Sequence, residues 1–65
     1  MNKIAEFRKK NKLTQNQLAE KSGVSISYIQ KIESGHKNNV SKVFAKSIAD
    51  ALNTTVEELF FSEEE

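Results

Sequence analysis

Apolar positions recur at helical spacing through most of the chain, and no stretch alternates between apolar and polar residues as a strand does. The pattern predicts five helices: residues 2–11, Gln15–Lys21, Ile26–Ser34, Val40–Leu52 and a short one opening at Thr55. The apolar stripe expected on the fourth helix is Val43, Phe44, Ile48, Ala51 and Leu52. Those expected to point inward from the fifth are Val56, Leu59 and Phe60. We therefore expect an all-α domain.

The second and third of these helices have clear capping residues at both ends in the sequence. Thr14 and Gln17 have the spacing of a capping box, in which each side chain satisfies a backbone N–H of the other residue. Gly23 falls where a left-handed residue must end the second helix, and Ser25 is a good N-cap for the third. Gly35 ends that third helix in the same way. Two capped helices around a glycine turn predict a helix-turn-helix at about residues 14–34.

The C-terminal part of the chain has capping residues of the same kinds. Asn53 is a plausible left-handed residue after the fourth helix, and Thr55 with Glu58 forms a third capping box. Phe60 and Phe61 are consecutive, and one helix cannot bury both in a small core. We expect Phe61 to be exposed and, with Phe60, to form a dimer interface. The alternative is that Phe61 folds back on the first helix.

Length and composition narrow the classes of protein further. With 65 residues, 37% of them apolar, the chain has room for one domain, here residues 1–61, followed by an acidic tail at 62–65. It has no cysteine and one histidine, so we expect no disulfide, metal site or cofactor and a reducing cytoplasm. No apolar run is long enough for a membrane span. Nothing suggests a small-molecule ligand, and an enzyme finds little support.

Charge is divided unevenly along the chain. Residues 1–37 carry eight Lys or Arg and three Glu, a net charge of +5, whereas residues 38–65 carry −4. Such polarity suits a protein with one side on a polyanion, although chance imbalance on a small surface would also produce it. The outer side of the third helix is polar and nearly uncharged, so it could approach DNA bases and still form hydrogen bonds.

Residues Leu13–Gly35 (LTQNQLAEKSGVSISYIQKIESG), with IAEFR before them and IADALNTTVEELF after them, resemble the phage repressor and Cro-like (XRE-type) helix-turn-helix family of DNA-binding proteins. The resemblance extends from Ile4 to Phe60. It implies a five-helix lambda-repressor-like fold and sequence-specific binding to double-stranded DNA. It also implies a transcriptional regulator, most often a repressor acting as a homodimer on a two-fold operator.

The resemblance also implies roles for individual residues. The base-contacting residues would be Ile26, Ser27, Tyr28, Gln30 and Lys31. The phosphate-contacting residues would be Thr14, Gln15, Gln17, Ser25, Ser34, His36, Lys37 and Asn38. Arg8 in the first helix and Glu33 in the third would form a structural ion pair.

Two departures from the family pattern affect this assignment. Family members often open the fourth helix with proline, whereas this chain has Asn38-Asn39-Val40, one residue longer, so the phosphate contacts of this loop are less certain. The third helix also carries few of the side chains that make bidentate base contacts, Gln30 being the exception. An alternative function is a protein-interaction adaptor, such as an antitoxin-like module, that keeps the fold without reading DNA.

Overall fold

The computed structural model describes residues 3–35 and 40–61, which form five helices and no strand. They are α1 (Ile4–Lys10), α2 (Gln15–Ser22), α3 (Ile26–Ser34), α4 (Lys42–Ala51) and α5 (Glu57–Phe61), the last a single π-helical turn. The all-α prediction is confirmed, with helix ends within two residues of those expected. None of these helices is long and apolar enough to cross a membrane. The predicted tail at 62–65 lies outside the described residues.

The caps that define the helix-turn-helix are present as predicted. The Thr14 hydroxyl accepts from the Gln17 N–H at 3.1 Å, and the Gln17 side chain accepts from the Thr14 N–H at 2.8 Å. Ser25 accepts from the backbone N–H three residues ahead at 3.2 Å. Gly23 and Gly35 end α2 and α3 with φ of 75° and 87°. Local chemistry thus fixes both the length of each helix and the turn between them.

One apolar core joins all five helices. Its buried members are Ile4, Leu18, Val24, Ile29, Ile32, Ala45, Ile48, Ala49, Ala51, Leu52 and Leu59. The α2 helix packs against both α3 and α4. Backbone and side-chain hydrogen bonds close the ends of the bundle: the Lys3 N–H donates to the Leu59 carbonyl at 2.9 Å, and the Asn11 amide donates to the Leu52 carbonyl at 3.2 Å. The α3 helix packs against α2 and α1.

The apolar stripe predicted for α4 is wrong at its first two positions. Val43 is 70% exposed and Phe44 is 38% exposed, whereas Ala45 and Ala49 are buried. The helix begins at Lys42, after an N-cap at Ser41 whose hydroxyl accepts from the Phe44 N–H. Val43 then lies about 200° around the helix from Ala45, on the opposite side. Small alanines, which allow a neighbouring helix to approach closely, occupy the core-facing side in place of the larger valine.

Replacing Gly23 by alanine is expected to lower the free energy of unfolding by about 1–2 kcal/mol. A methyl group on Gly23 would meet nothing within 4 Å, so the cost comes from the left-handed φ of 75° alone. Asparagine tolerates this conformation better, and Gly23→Asn should lose less. Urea unfolding followed by far-UV circular dichroism measures both variants. Equal stability of Gly23→Ala and the unchanged protein would contradict the assignment of strain to this turn.

Candidate nucleic-acid interface

The α3 helix has a buried side and an exposed polar side. Ile29 and Ile32 are fully buried against the core. The opposite side carries four exposed polar side chains: Ser27, Gln30, Lys31 and Ser34. Except for Lys31 they are uncharged, and hydroxyl, amide and ammonium groups are the donors and acceptors that match base edges in the major groove. The α3 helix therefore presents the kind of surface that can read bases.

The two other residues expected at bases, Ile26 and Tyr28, are partly buried. Ile26 lies at the first turn of α3 and is partly exposed. The Tyr28 ring packs edge-on against Phe44, with ring centroids 4.8 Å apart, and its hydroxyl accepts from the Ser41 N–H at 3.2 Å. Tyr28 thus fastens α3 to the start of α4. This packing contact was not foreseen from the sequence, and a contact from Tyr28 to a base stays a prediction.

The start of α2 lies beside the polar side of α3. The Gln30 amide donates to the Gln15 side-chain oxygen at 3.4 Å, which places the two helices' outer residues next to each other. Thr14 and Gln17 are exposed, although each is already engaged in the capping box. A helix N-terminus with exposed N–H groups and hydroxyls favours a phosphate. The predicted phosphate residues of α2 are therefore close to the predicted base-reading side of α3.

Arg8 and Glu33 form the ion pair that ties this unit to α1. Arg8 Nε donates to Glu33 Oε2 at 2.8 Å, and Arg8 Nη2 donates to Glu33 Oε1 at 3.2 Å. Arg8 Nη1 also donates to the Leu13 carbonyl at 2.9 Å, in the turn that precedes α2. The side chains of the pair are 14% and 9% exposed. One guanidinium therefore joins α1, the turn before α2 and the end of α3.

The described part of the chain carries many exposed lysines and no metal-ligating cluster. The exposed lysines of α1, α2, α3 and the turn between α1 and α2 are Lys9, Lys10, Lys12, Lys21 and Lys31. Within the described ranges, no three His, Cys, Asp or Glu side chains come together. Exposed cations of this density provide the electrostatic attraction that a phosphate backbone needs.

The remaining predicted residues fall into two groups. His36, Lys37 and Asn38, expected at phosphates, lie outside the described residues. Ser25 and Ser34 are exposed at the two ends of α3. Of the two residues expected at a dimer interface, Phe60 is half-buried against the core and Phe61 is 66% exposed.

Comparison with known proteins identifies relatives across nearly the whole chain. A family model described as "Helix-turn-helix" matches residues 4–59. The HTH-type transcriptional regulator SlrR of Bacillus subtilis is 44% identical over 60 residues, which are 92% of this chain and 40% of SlrR. An uncharacterized HTH-type transcriptional regulator of Archaeoglobus fulgidus is 41% identical over 63 residues, 97% of this chain and 89% of that protein. The chain thus spans less than half the length of SlrR.

Solved structures give the same result for the fold. The N-terminal DNA binding domain of SinR from Bacillus subtilis superposes with a TM-score of 0.88 at 31% identity, covering 95% of this chain and 88% of that one. A chain of the SinR protein/SinI protein complex superposes with a TM-score of 0.82 at 33% identity, covering 85% of this chain and 53% of that one. The fold is the predicted five-helix, lambda-repressor-like one. The chain belongs to the phage repressor and Cro-like (XRE-type) helix-turn-helix family, whose relatives here are named as transcriptional regulators.

Proposed function

We propose that residues 1–61 act as one sequence-specific domain that binds double-stranded DNA and represses transcription by occluding its operator. In this proposal, Ile26, Ser27, Gln30 and Lys31 contact bases. Phosphates are contacted by Thr14, Gln15, Gln17, Ser25, Ser34, His36, Lys37 and Asn38. Tyr28 fastens α3 to the start of α4 and, in this proposal, also contacts a base. The proposal needs no catalytic residue, no cofactor and no small-molecule ligand, and it places the protein in the cytoplasm.

The exposure of the α3 polar side is the observation that carries this proposal. Had Ser27 and Lys31 been buried against the rest of the protein, α3 could not enter a groove. Both are exposed, and the buried Ile29 and Ile32 hold the helix from behind. A major groove about 12 Å wide admits an α-helix of this kind. The relatives' names as transcriptional regulators support the same conclusion.

We propose a homodimer on a two-fold operator because one copy of the chain presents a single α3 helix. A single α3 helix with few strong donors reads only a short half-site. Two copies related by a two-fold axis would read two half-sites about 34–36 Å apart, one helical turn of DNA, and would multiply the specificity. We propose that Phe61, with Phe60 beneath it, forms the contact between the copies.

A protein-interaction adaptor is the second candidate function. One relative was solved as the SinR protein/SinI protein complex, and this chain covers 53% of the matched chain, so an interaction between proteins is known for a related molecule. An adaptor would not need the polar side of α3 for its function. The two candidates therefore differ in how they respond to charge reversal on α3.

Selection from a random duplex pool distinguishes the regulator from the adaptor. We expect the unchanged protein to enrich a motif with two-fold symmetry, and Lys31→Glu to enrich none, because a carboxylate would face the DNA. The matched control is Lys46→Glu, which makes the same charge reversal at an exposed lysine of α4. If Lys46→Glu enriches the motif and Lys31→Glu does not, the result supports the DNA-binding regulator. If the unchanged protein enriches no duplex, or if Lys31→Glu enriches the motif equally well, the regulator is excluded and the adaptor is the remaining candidate.

For assembly, we expect sedimentation at micromolar concentration to show a dimer that Phe61→Asp dissociates. Phe61 is 66% exposed, and burying an aspartate at the same interface would cost more than the apolar contact returns. Val43→Asp is the matched control, since Val43 is another exposed apolar residue, on α4. A protein that is monomeric at every concentration, or a dimer that only Val43→Asp weakens, would exclude the proposed interface.

A further inference from the structure

Three side chains form a hydrogen-bonded chain from the partly buried ion pair to the exposed side of α3. Gln15 Nε2 donates to Glu33 Oε1 at 3.0 Å, and Gln30 Nε2 donates to Gln15 Oε1 at 3.4 Å. Glu33 is itself held by two donors from Arg8. The chain starts at a side chain that is 9% exposed and ends at an exposed amide. Gln15 thus links the partly buried ion pair with the surface proposed to meet DNA.

The chemistry at the Glu33 end gives this chain of hydrogen bonds a direction. An ionised carboxylate only accepts hydrogen bonds, so the Gln15 amide must turn its NH2 group toward Glu33. Its oxygen then faces Gln30 and can only accept, so the Gln30 amide must in turn present its own NH2 group. The orientation of both amides therefore follows from the charge on Glu33. A glutamine without such a partner would be free to rotate its amide by 180°.

The orientation leaves Gln30 with a defined pair of groups for a ligand. Its amide keeps the side-chain oxygen as an acceptor and its second N–H as a donor. Adenine presents an N6–H donor and an N7 acceptor on its major-groove edge, and glutamine pairs with both at once. No other base offers a donor and an acceptor in that order.

We propose that Glu33 and Gln15 are positioning residues that orient the Gln30 amide to read an adenine in the major groove. This inference rests on the proposed function, since it concerns how the same surface reads DNA. Gln30 then has a preference for adenine, and Gln15 has a role in specificity beside its proposed role at a phosphate.

Selection from a random duplex pool with three variants tests the proposal. Gln30→Met should abolish an adenine preference at one position of each half-site, where a bidentate pair discriminates by about 5- to 150-fold. Gln15→Met keeps the length of the side chain but removes both hydrogen bonds, and should lower the preference at that same position by at least about threefold. Asn16→Met, the neighbouring exposed residue of α2, is the control and should leave the preference unchanged.

A second measurement on the free protein checks the network without DNA. The side-chain NH2 signals of Gln30 in a 1H–15N NMR spectrum should shift in Gln15→Met and stay in place in Asn16→Met, with the backbone signals of α3 preserved in both. If the Gln30 side-chain signals do not shift in Gln15→Met, the hydrogen-bonded network is excluded. An enriched motif whose adenine preference survives Gln15→Met or Gln30→Met would overturn the positioning role and leave the proposed function standing. A failure of the unchanged protein to enrich any duplex would overturn both.

Discussion

Replacing Arg8 by alanine is expected to lower the free energy of unfolding by about 3–5 kcal/mol. The substitution removes three hydrogen bonds, two to Glu33 and one to the Leu13 carbonyl, and leaves a carboxylate that is only 9% exposed without its counter-charge. Among the described residues, the remaining donor to Glu33 is the neutral amide of Gln15, which cannot offset the desolvation of a charge. A single core in a domain of 65 residues supplies only a few kcal/mol. The variant should therefore be largely unfolded at 25 °C.

Urea unfolding followed by far-UV circular dichroism measures this loss, and two controls separate its cause. The double variant Arg8→Met with Glu33→Leu removes both charges together and should recover most of the stability, because no unpaired charge stays in the interior. Lys46→Ala breaks the exposed pair with Asp50, whose side chains are 70% and 63% exposed, and should change stability by about 0.5 kcal/mol or less. An Arg8→Ala protein as stable as Lys46→Ala would show that the Arg8 pair is not structural.

Features set by neighbouring residues could be predicted from the sequence. The capping box of Thr14 and Gln17, the left-handed Gly23 and Gly35, and the positive φ of Asn53 all occur where the sequence predicts them. Each depends on groups within one helical turn, so the short spacing in the sequence is already the spacing in space. The exposure of Phe61 was also predicted, because consecutive residues of a helix cannot share one side.

Features that depend on distant residues could not be predicted in the same way. Helical spacing placed Val43 in the apolar stripe of α4, but the structure exposes Val43 and buries Ala45 and Ala49 in a helix that packs against α2. Packing between helices therefore decides which of these apolar residues is buried.

The same distinction between local and distant causes applies to the candidate site. The polar side of α3 follows from helical periodicity, since Ile29 and Ile32 determine which residues face outward. The hydrogen bond between Gln15 and Glu33 spans 18 residues and depends on two side-chain conformations. The contact of Tyr28 with Ser41 depends on how α4 begins. Periodicity therefore identified which residues reach the surface, but not which of them hold one another in place.

For the proposed homodimer on DNA, we expect the association constant to fall about 10³-fold between 50 and 200 mM salt. Each phosphate neutralised by a lysine or arginine releases counterions, and a plot of log K against log[salt] gains a slope of about −0.9 per phosphate. Three phosphates per subunit give a slope of about −5, and the exposed lysines of α1 to α3 are enough for that number. Fluorescence anisotropy of a labelled operator duplex, obtained from the selection and titrated at several salt concentrations, measures the slope.

Single substitutions then separate phosphate contacts from base contacts. Lys37→Ala should reduce the slope by about one unit for each subunit and weaken all duplexes equally, because phosphates carry no sequence information. Lys46→Ala removes the same charge from a lysine that pairs with Asp50 at 3.0 Å, and should leave the slope unchanged. An affinity independent of salt would remove the electrostatic basis of the proposed interface. A slope that Lys46→Ala lowers and Lys37→Ala leaves alone would mean that DNA meets α4, so the orientation of the domain on the duplex would have to be reversed.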